Sequence, residues 1–123
     1  MMRHIADGAD HIYLAIGATD FRKHQNGLTT LVALKFGLDP HLGTSVFLFC
    51  NKRQNTLRAL RWDGNGFILV TKSLSDEMKF QWPKTQGEIR DISRFQLEWL
   101  LQGLQIDQKK ALPNSLDTSK IIF

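Results

Sequence analysis

The sequence has few of the residues that build common catalytic and metal sites. It contains one cysteine, Cys50, which can form neither an internal disulfide nor a Cys/His zinc site. The four histidines are scattered without the spacing of metal ligands, and no serine lies in the elbow motif of a hydrolase nucleophile. The sequence therefore predicts no catalytic residue, no metal site and no cofactor, and Cys50 is expected to be a buried apolar residue.

Long apolar runs are also missing. No run approaches the roughly 18 apolar residues of a transmembrane helix, so we expect no membrane partner. Asp7 and Asp10 interrupt the N-terminal segment, which therefore lacks the apolar core of a signal peptide. These absences together favour a cytoplasmic protein.

Carboxylates do not occur in a pattern typical of nucleases. Two-metal cleavage of nucleic acid needs several convergent carboxylates, whereas the acidic residues here fall mostly in predicted turns. Asp63, for example, belongs to a turn with Gly64. A small metal-dependent nuclease is therefore the least favoured of three functional hypotheses, and we do not expect an enzyme.

The totals suit one small domain. The chain has 123 residues, of which 42% are hydrophobic, enough for a single modest core. The formal net charge is +4, which permits an anionic partner such as DNA without requiring one. We expect a loose N-terminus over residues 1–10, a single α+β domain over residues 11–106 and a C-terminal tail over residues 107–123.

The centre of the chain predicts an antiparallel meander from Val46 to Trp82. Apolar runs of strand length alternate there with polar turns. The tetrapeptide Asp63–Gly66 contains Asp-Gly and Asn-Gly, which favour the positive φ angles of tight hairpins. The four expected strands are Val46–Cys50, Leu57–Trp62, Phe67–Lys72 and Lys79–Trp82.

Two helices and short flanking strands complete the expected fold. Asn26 is a candidate N-cap for a helix that ends near Phe36-Gly37. Ser93 and Gln96 form a capping-box pattern before a second helix, which Gly103 is suited to end. Because strands follow one another, we predict an α+β fold, with a mainly antiparallel sheet of about five strands and two principal helices packed on one face. The flanking strands are His11–Ile16 and, briefly, Glu88–Ile92.

Basic residues concentrate in or beside the meander. If they contact DNA, their positive charges would bind the phosphate backbone; otherwise they form a solvated face that keeps the sheet edges soluble. Side chains alternate between the faces of a strand, so Arg58 and Arg61 should point in opposite directions. The candidate nucleic-acid-binding residues are Lys52, Arg53, Arg58, Arg61 and Lys72.

Two aromatic residues are candidates for a protein interface. Trp82 precedes Pro83, which ends the expected strand, and its ring is predicted to be partly exposed. Phe123 closes an apolar C-terminal end that could pack on the domain or on a neighbour. A protein-interaction module without nucleic-acid contact is therefore the alternative hypothesis, and a homo-oligomer is compatible with it.

An ordered set of motifs extends from Ile12 to Lys110 and resembles a known family. The set resembles the small accessory protein, often called TnpB or Orf2, of bacterial insertion sequences of the type numbered sixty-six. One departure follows Lys72, where Ser73, Leu74 and Ser75 replace a second basic residue and Leu-Glu. The motifs are Ile12–Ala15, Gly17–Lys23, Phe36–Pro40, Phe47–Cys50, Lys52-Arg53, Leu57–Phe67, Lys72, Phe80–Pro83 and Gln96–Leu104.

The resemblance implies a non-enzymatic accessory protein for DNA transposition. In such a system the transposase of the same element cuts and joins the DNA. The accessory protein would assist by binding DNA, the transposase or both. The transposase is thus the implied protein partner.

Overall fold

The computed structural model describes residues 2–107, and these contain five strands in one sheet. Branched and aromatic residues fill the strands, as expected for segments buried on a pleated surface. The strands are β1 (His11–Ala15), β2 (Ser45–Cys50), β3 (Thr56–Trp62), β4 (Phe67–Ser73) and β5 (Ile89–Ile92). Their order across the sheet is β4-β3-β2-β1-β5.

The sheet is mainly antiparallel, as the sequence predicted, but it is mixed because one strand pair is parallel. The pairs β2–β3, β3–β4 and β1–β5 are antiparallel, but β1 and β2 run parallel, with His11 opposite Ser45. The segment between β1 and β2 contains a helix and is long enough for the crossover that parallel pairing requires. Local strand signals carry no information about the direction of pairing, so this feature was not predicted.

The meander ends one strand earlier than predicted. Strands β2, β3 and β4 form it, but Lys79–Trp82 is not a strand. This segment is attached to the turn before β3, where the Phe80 N–H donates to the Gln54 carbonyl at 2.7 Å. Its apolar pattern reflects burial of Phe80 and Trp82 beneath the sheet, because both side chains belong to a core cluster.

The two sheet faces support separate core clusters. Along β2, Val46 and Leu48 belong to the cluster that we call core A, whereas Phe47 and Phe49 belong to the other, core B. This alternation follows from the two-residue period of a strand. Cys50 also lies in core A and is fully buried, so the prediction of a buried cysteine is confirmed.

The first helix contributes to core B. Helix α1 (Gln25–Thr30) continues into a π-helical turn (Leu31–Lys35), and its buried Leu28 and Val32 pack in that cluster. The N-cap is His24 without a side-chain cap, so the prediction that Asn26 caps the helix is wrong. The helix ends before Gly37, which has a φ of +65°, near the predicted end.

The second helix contributes to core A. Helix α2 (Arg94–Leu101) begins with the predicted capping box, in which Gln96 N–H donates to the Ser93 Oγ at 3.1 Å and the Gln96 Oε1 accepts from Ser93 N–H at 2.8 Å. It ends at Leu101, and Gly103, two residues later, has a φ of +85°, which suits the left-handed position after a helix. The buried residues of α2 are Leu97, Leu100 and Leu101. The helices thus belong to clusters on opposite faces, which differs from the prediction of one shared face.

The N-terminal residues are packed rather than loose. Met2–Ala6 form a 3-10 helix, and Met2, Ile5 and Ala6 are buried in core A. These apolar side chains lie within a short polar stretch, where local composition alone suggests an unstructured end. Their burial depends on contact with the distant strands.

Candidate nucleic-acid interface

Lys52 and Arg53 lie at the tip of the turn between β2 and β3. Both side chains are exposed, and neither has a hydrogen bond or ion pair with another residue in the range 2–107. Side chains in this position can contact an extended polyanion without any rearrangement of the fold. These are the two predicted binding residues whose charges are available in the described structure.

Asn51 orders this turn. Its Oδ1 accepts from the backbone N–H groups of Asn55 and Thr56, both at 3.1 Å, and its Nδ2 donates to the Asn55 Oδ1 at 2.8 Å. Gln54 has a φ of 63°, a conformation uncommon for a residue other than glycine. The Asn51 side chain thus satisfies two backbone N–H groups of the turn and fixes its conformation. Lys52 and Arg53 therefore project from an ordered turn.

Lys84 adds a third exposed cation near the same turn. Lys52 and Lys84 line one cleft of about 370 Å³, together with Gly17 and Ala18. Gly17 adopts a φ of +82°, and its N–H donates to the Pro83 carbonyl at 2.9 Å, which connects the two segments. We call Lys52, Arg53 and Lys84 the basic end of the sheet.

Lys84 was not among the residues predicted for binding. It is 32 positions from Lys52 in the sequence, and no local pattern joins the two. The connection depends on the burial of the neighbouring Trp82, whose indole Nε1 donates to the Ala15 carbonyl at 2.9 Å. Among local signals, only the break at Pro83, directly before a lysine, pointed to an exposed charge here.

Trp82 itself is not an exposed ring. It is 5% exposed, so the prediction of a partly exposed indole is wrong. The ring fills core A, and its one polar atom is satisfied by the hydrogen bond to Ala15. Phe123, the other predicted interface residue, lies outside the described residues.

Arg61 is bound within the fold. Its Nε donates to the Gly43 carbonyl at 2.7 Å, and its Nη1 donates to the carbonyls of Ile5 and Asp7 at 2.8 and 2.7 Å. The fork of guanidinium donors therefore connects β3 to the N-terminal 3-10 helix and to the loop before β2. Arg61 has a structural explanation that requires no ligand.

Arg58 plays a similar part on the other face. Its Nη1 donates to the carbonyls of Phe21 and Lys23 at 3.1 and 3.0 Å. The guanidinium carbon lies 4.3 Å from the centre of the Phe21 ring, a cation–π contact. Arg58 and Arg61 thus extend from opposite faces, as the alternation predicted.

Lys72 is also engaged. Its Nζ donates to the Leu101 carbonyl at 3.2 Å, at the C-terminus of α2, where a positive charge is favoured. Three of the five predicted binding residues therefore contact backbone carbonyls of this chain. Binding of nucleic acid by Arg58, Arg61 and Lys72 stays a prediction, because their donors are already used within the fold.

The loop after β1, which lies beside the basic end, contains an ion pair between Arg22 and Asp20. Arg22 donates to both carboxylate oxygens of Asp20, at 2.8 to 3.1 Å, and these bonds hold the pKa of Asp20 at about 2. The Thr19 N–H donates to the Cys50 carbonyl at 2.8 Å, which places this loop next to the end of β2. Arg22 thus adds less net charge to this region than its sequence position suggests.

The described residues hold no group of histidine, cysteine or acidic side chains arranged to bind a metal ion. Burial raises the pKa of the Cys50 thiol to about 12, so the thiol is protonated at neutral pH and is a poor nucleophile. None of the helices in residues 2–107 has both the length and the apolar character needed to cross a membrane.

Comparison with known proteins gives a consistent result. A family model described as IS66 Orf2 like protein matches residues 10–111. An uncharacterized protein, y4jC, of Sinorhizobium fredii (strain NBRC 101917 / NGR234) is 36% identical over 102 residues, covering 83% of this chain and 86% of that protein. A second, y4hO of the same strain, is 34% identical over 93 residues, covering 76% and 79%. No solved structure gives a significant match. The chain therefore belongs to the IS66 Orf2-like family.

Proposed function

We propose that this protein is a non-enzymatic accessory protein for transposition of an insertion sequence, and that it binds the DNA backbone through the basic end. The family suggests the accessory role and is not a known enzyme family. The cutting and joining of DNA would belong to the transposase of the same element. The protein would act with that transposase in the cytoplasm.

One observation carries the choice of DNA-binding residues. Lys52, Arg53 and Lys84 are exposed without side-chain partners in residues 2–107, whereas the other three predicted binding residues donate to carbonyls of this chain. A free lysine or arginine can replace a condensed counterion at a phosphate, which yields affinity that falls steeply with salt. The backbone N–H of the half-buried Ala18, in the same cleft, would offer a further contact to a phosphate oxygen.

The test is binding of the purified protein to element-end DNA and to scrambled DNA over a salt series. Neutralising Lys52 and Lys84 together, as Lys52→Gln with Lys84→Gln, should reduce the slope of log affinity against log salt by about two. Lys35→Gln is the control for removal of one positive charge elsewhere, because Lys35 is exposed at the end of the helical segment after α1 and is absent from the cleft. An unchanged slope in the double variant would contradict the proposal, as would a reduction of the slope by about one in the single-charge control.

A second candidate function is a contact with the transposase that needs no DNA. Two large apolar side chains support it, since Leu34 is 81% exposed and Phe95 is 75% exposed. Phe95 lies on α2, one turn before the partly buried Trp99, so the outer side of that helix is apolar in part. A pull-down of the transposase that survives nuclease treatment, and that is lost in Phe95→Ser, would favour this function.

A further inference from the structure

The two edges of the sheet are built differently. Strand β5 is four residues long and includes Arg90 and Asp91. Strand β4 is seven residues long, contains no proline, and pairs with β3 in a continuous register without a bulge. Short or charged strands protect a sheet edge from pairing with another chain, so β5 is protected and β4 is not.

The hydrogen-bond register identifies which groups of β4 face outward. The Asp63 N–H donates to the Gly66 carbonyl at 2.7 Å, and the Leu74 N–H donates to the Asn55 carbonyl at 2.8 Å. Because bonded and non-bonded pairs alternate in an antiparallel ladder, Ile68, Val70 and Lys72 are bonded to β3. The N–H and C=O groups that point away from β3 belong to Phe67, Leu69, Thr71 and Ser73.

These outward groups have no backbone partner within residues 2–107. None of the four residues is charged, and Thr71 and Ser73 are exposed. The one charge in β4, on Lys72, is directed to the Leu101 carbonyl on the face of core A. The edge therefore offers a row of free donors and acceptors without the lysine that commonly prevents association.

We propose that β4 pairs in antiparallel fashion with β4 of a second copy of this chain, giving a two-fold symmetric dimer with one continuous sheet. In this dimer the two-fold axis passes between the Val70 residues of the two copies. Each residue whose backbone N–H and C=O point away from β3 then forms a hydrogen-bonded pair with a residue of the second copy. Phe67 lies opposite Ser73 of the second copy, and Leu69 lies opposite Thr71 of the second copy. A shift to another register would leave at least one outward residue without a partner in the strand.

Self-pairing is favoured over pairing with a different protein because β4 is complementary to itself. Under the two-fold axis the large Phe67 meets the small Ser73, and the branched Thr71 meets Leu69, combinations that suit cross-strand neighbours. A charged strand would bring like charges together across the axis, but the outward residues of β4 are neutral.

The oligomeric state of the full chain tests the proposal. Sedimentation velocity over a wide concentration series should show a monomer–dimer equilibrium. Thr71→Pro removes an outward N–H without removing a bond to β3, so it should weaken the dimer by at least about tenfold. Thr71→Ala keeps the N–H and should dimerise like the original protein. Circular dichroism of each variant checks that the fold is retained.

Cross-linking tests the register by a separate route. In Val70→Cys the two introduced cysteines would form a non-hydrogen-bonded pair with Cα atoms about 4.5 Å apart, which is within disulfide range. In Ile68→Cys they would be about 14 Å apart, so this variant is the matched control. Native Cys50 is buried and should not contribute. Oxidation should therefore yield a covalent dimer in the first variant and not in the second.

Three outcomes would overturn the proposal. The first is a protein that stays monomeric at every concentration, which would leave the edge available to an extended segment of another protein. The second is a dimer that is as stable in Thr71→Pro as in Thr71→Ala. The third is equal cross-linking through positions 68 and 70. None of these depends on DNA binding, so the proposed function is tested separately.

Discussion

The basic residues of strand β3 and those of the turn before it differ in what their side chains contact. Arg58 and Arg61 donate to five backbone carbonyls between them, which connect the sheet to segments far away in sequence. Lys52 and Arg53, only a few positions earlier, have no such contacts in residues 2–107. The same residue types therefore serve the fold in one case and leave their charges exposed in the other.

The difference follows from position relative to the sheet. A side chain in the middle of a strand extends across a face, where neighbouring segments supply acceptors. A side chain at the tip of a turn extends beyond the ends of the strands into solvent. The comparison teaches that the number of positive residues in a segment overstates the positive charge available to a ligand. Arginines such as Arg58 and Arg61 donate to backbone carbonyls of the same chain and are therefore not free to bind one.

Among these basic residues, replacement of Arg61 is expected to cause the largest loss of stability. Arg61→Met leaves the carbonyls of Ile5, Asp7 and Gly43 without their donor, and should lower the free energy of unfolding by about 2 kcal/mol. Arg61→Lys retains the charge without the fork and should lose less. Urea unfolding measures both. A loss below about 0.5 kcal/mol in Arg61→Met would show that the contacts do not stabilise the fold.

A smaller effect is expected at Arg58. Arg58→Met removes two hydrogen bonds to carbonyls and the cation–π contact, and should lower the free energy of unfolding by about 1.5 kcal/mol. A double-mutant cycle with Phe21→Leu isolates the ring contact, which should show a coupling of about 0.5 kcal/mol. If the losses of stability in the two single variants add up to the loss in the double variant, the cation–π contact does not stabilise the fold.

The smallest effect on stability is expected at the turn. Lys52→Gln combined with Arg53→Gln should change the free energy of unfolding by less than about 0.5 kcal/mol, because neither side chain has a partner in the described fold. The same variant should weaken DNA binding at low salt, whereas Arg61→Met should bind normally at temperatures where it is folded. A destabilised turn variant with normal DNA binding would reverse the assignment of the two groups.

Local sequence signals predicted most of the elements. The runs at β2, β3 and β4 and the turn Asp63–Gly66 are confirmed, since each depends on residues adjacent in sequence. The capping box at Ser93 is confirmed for the same reason. The predicted strand at Lys79–Trp82 is wrong, because a buried irregular segment and a strand can have the same apolar pattern.

The candidate site could be predicted only in part. Lys52 and Arg53 were selected, like the others, for their positive charge, and the structure places both on an exposed turn. Lys84 was missed, since it reaches the same cleft through a distant segment. Arg61 and Lys72 were selected for their charge, but their acceptors, such as the Leu101 carbonyl, lie in other parts of the chain.

By itself the sequence determined most of the elements, the turn Asp63–Gly66, the capping box at Ser93 and the resemblance to a transposition family. These depend on interactions between near neighbours or on ordered motifs along the chain. The tertiary structure alone decided the parallel pairing of β1 with β2, the separation of α1 and α2 into different clusters, and which positive charges remain exposed. The reason is physical: pairing direction and the partners of a long side chain are set by segments that meet only after the chain has folded.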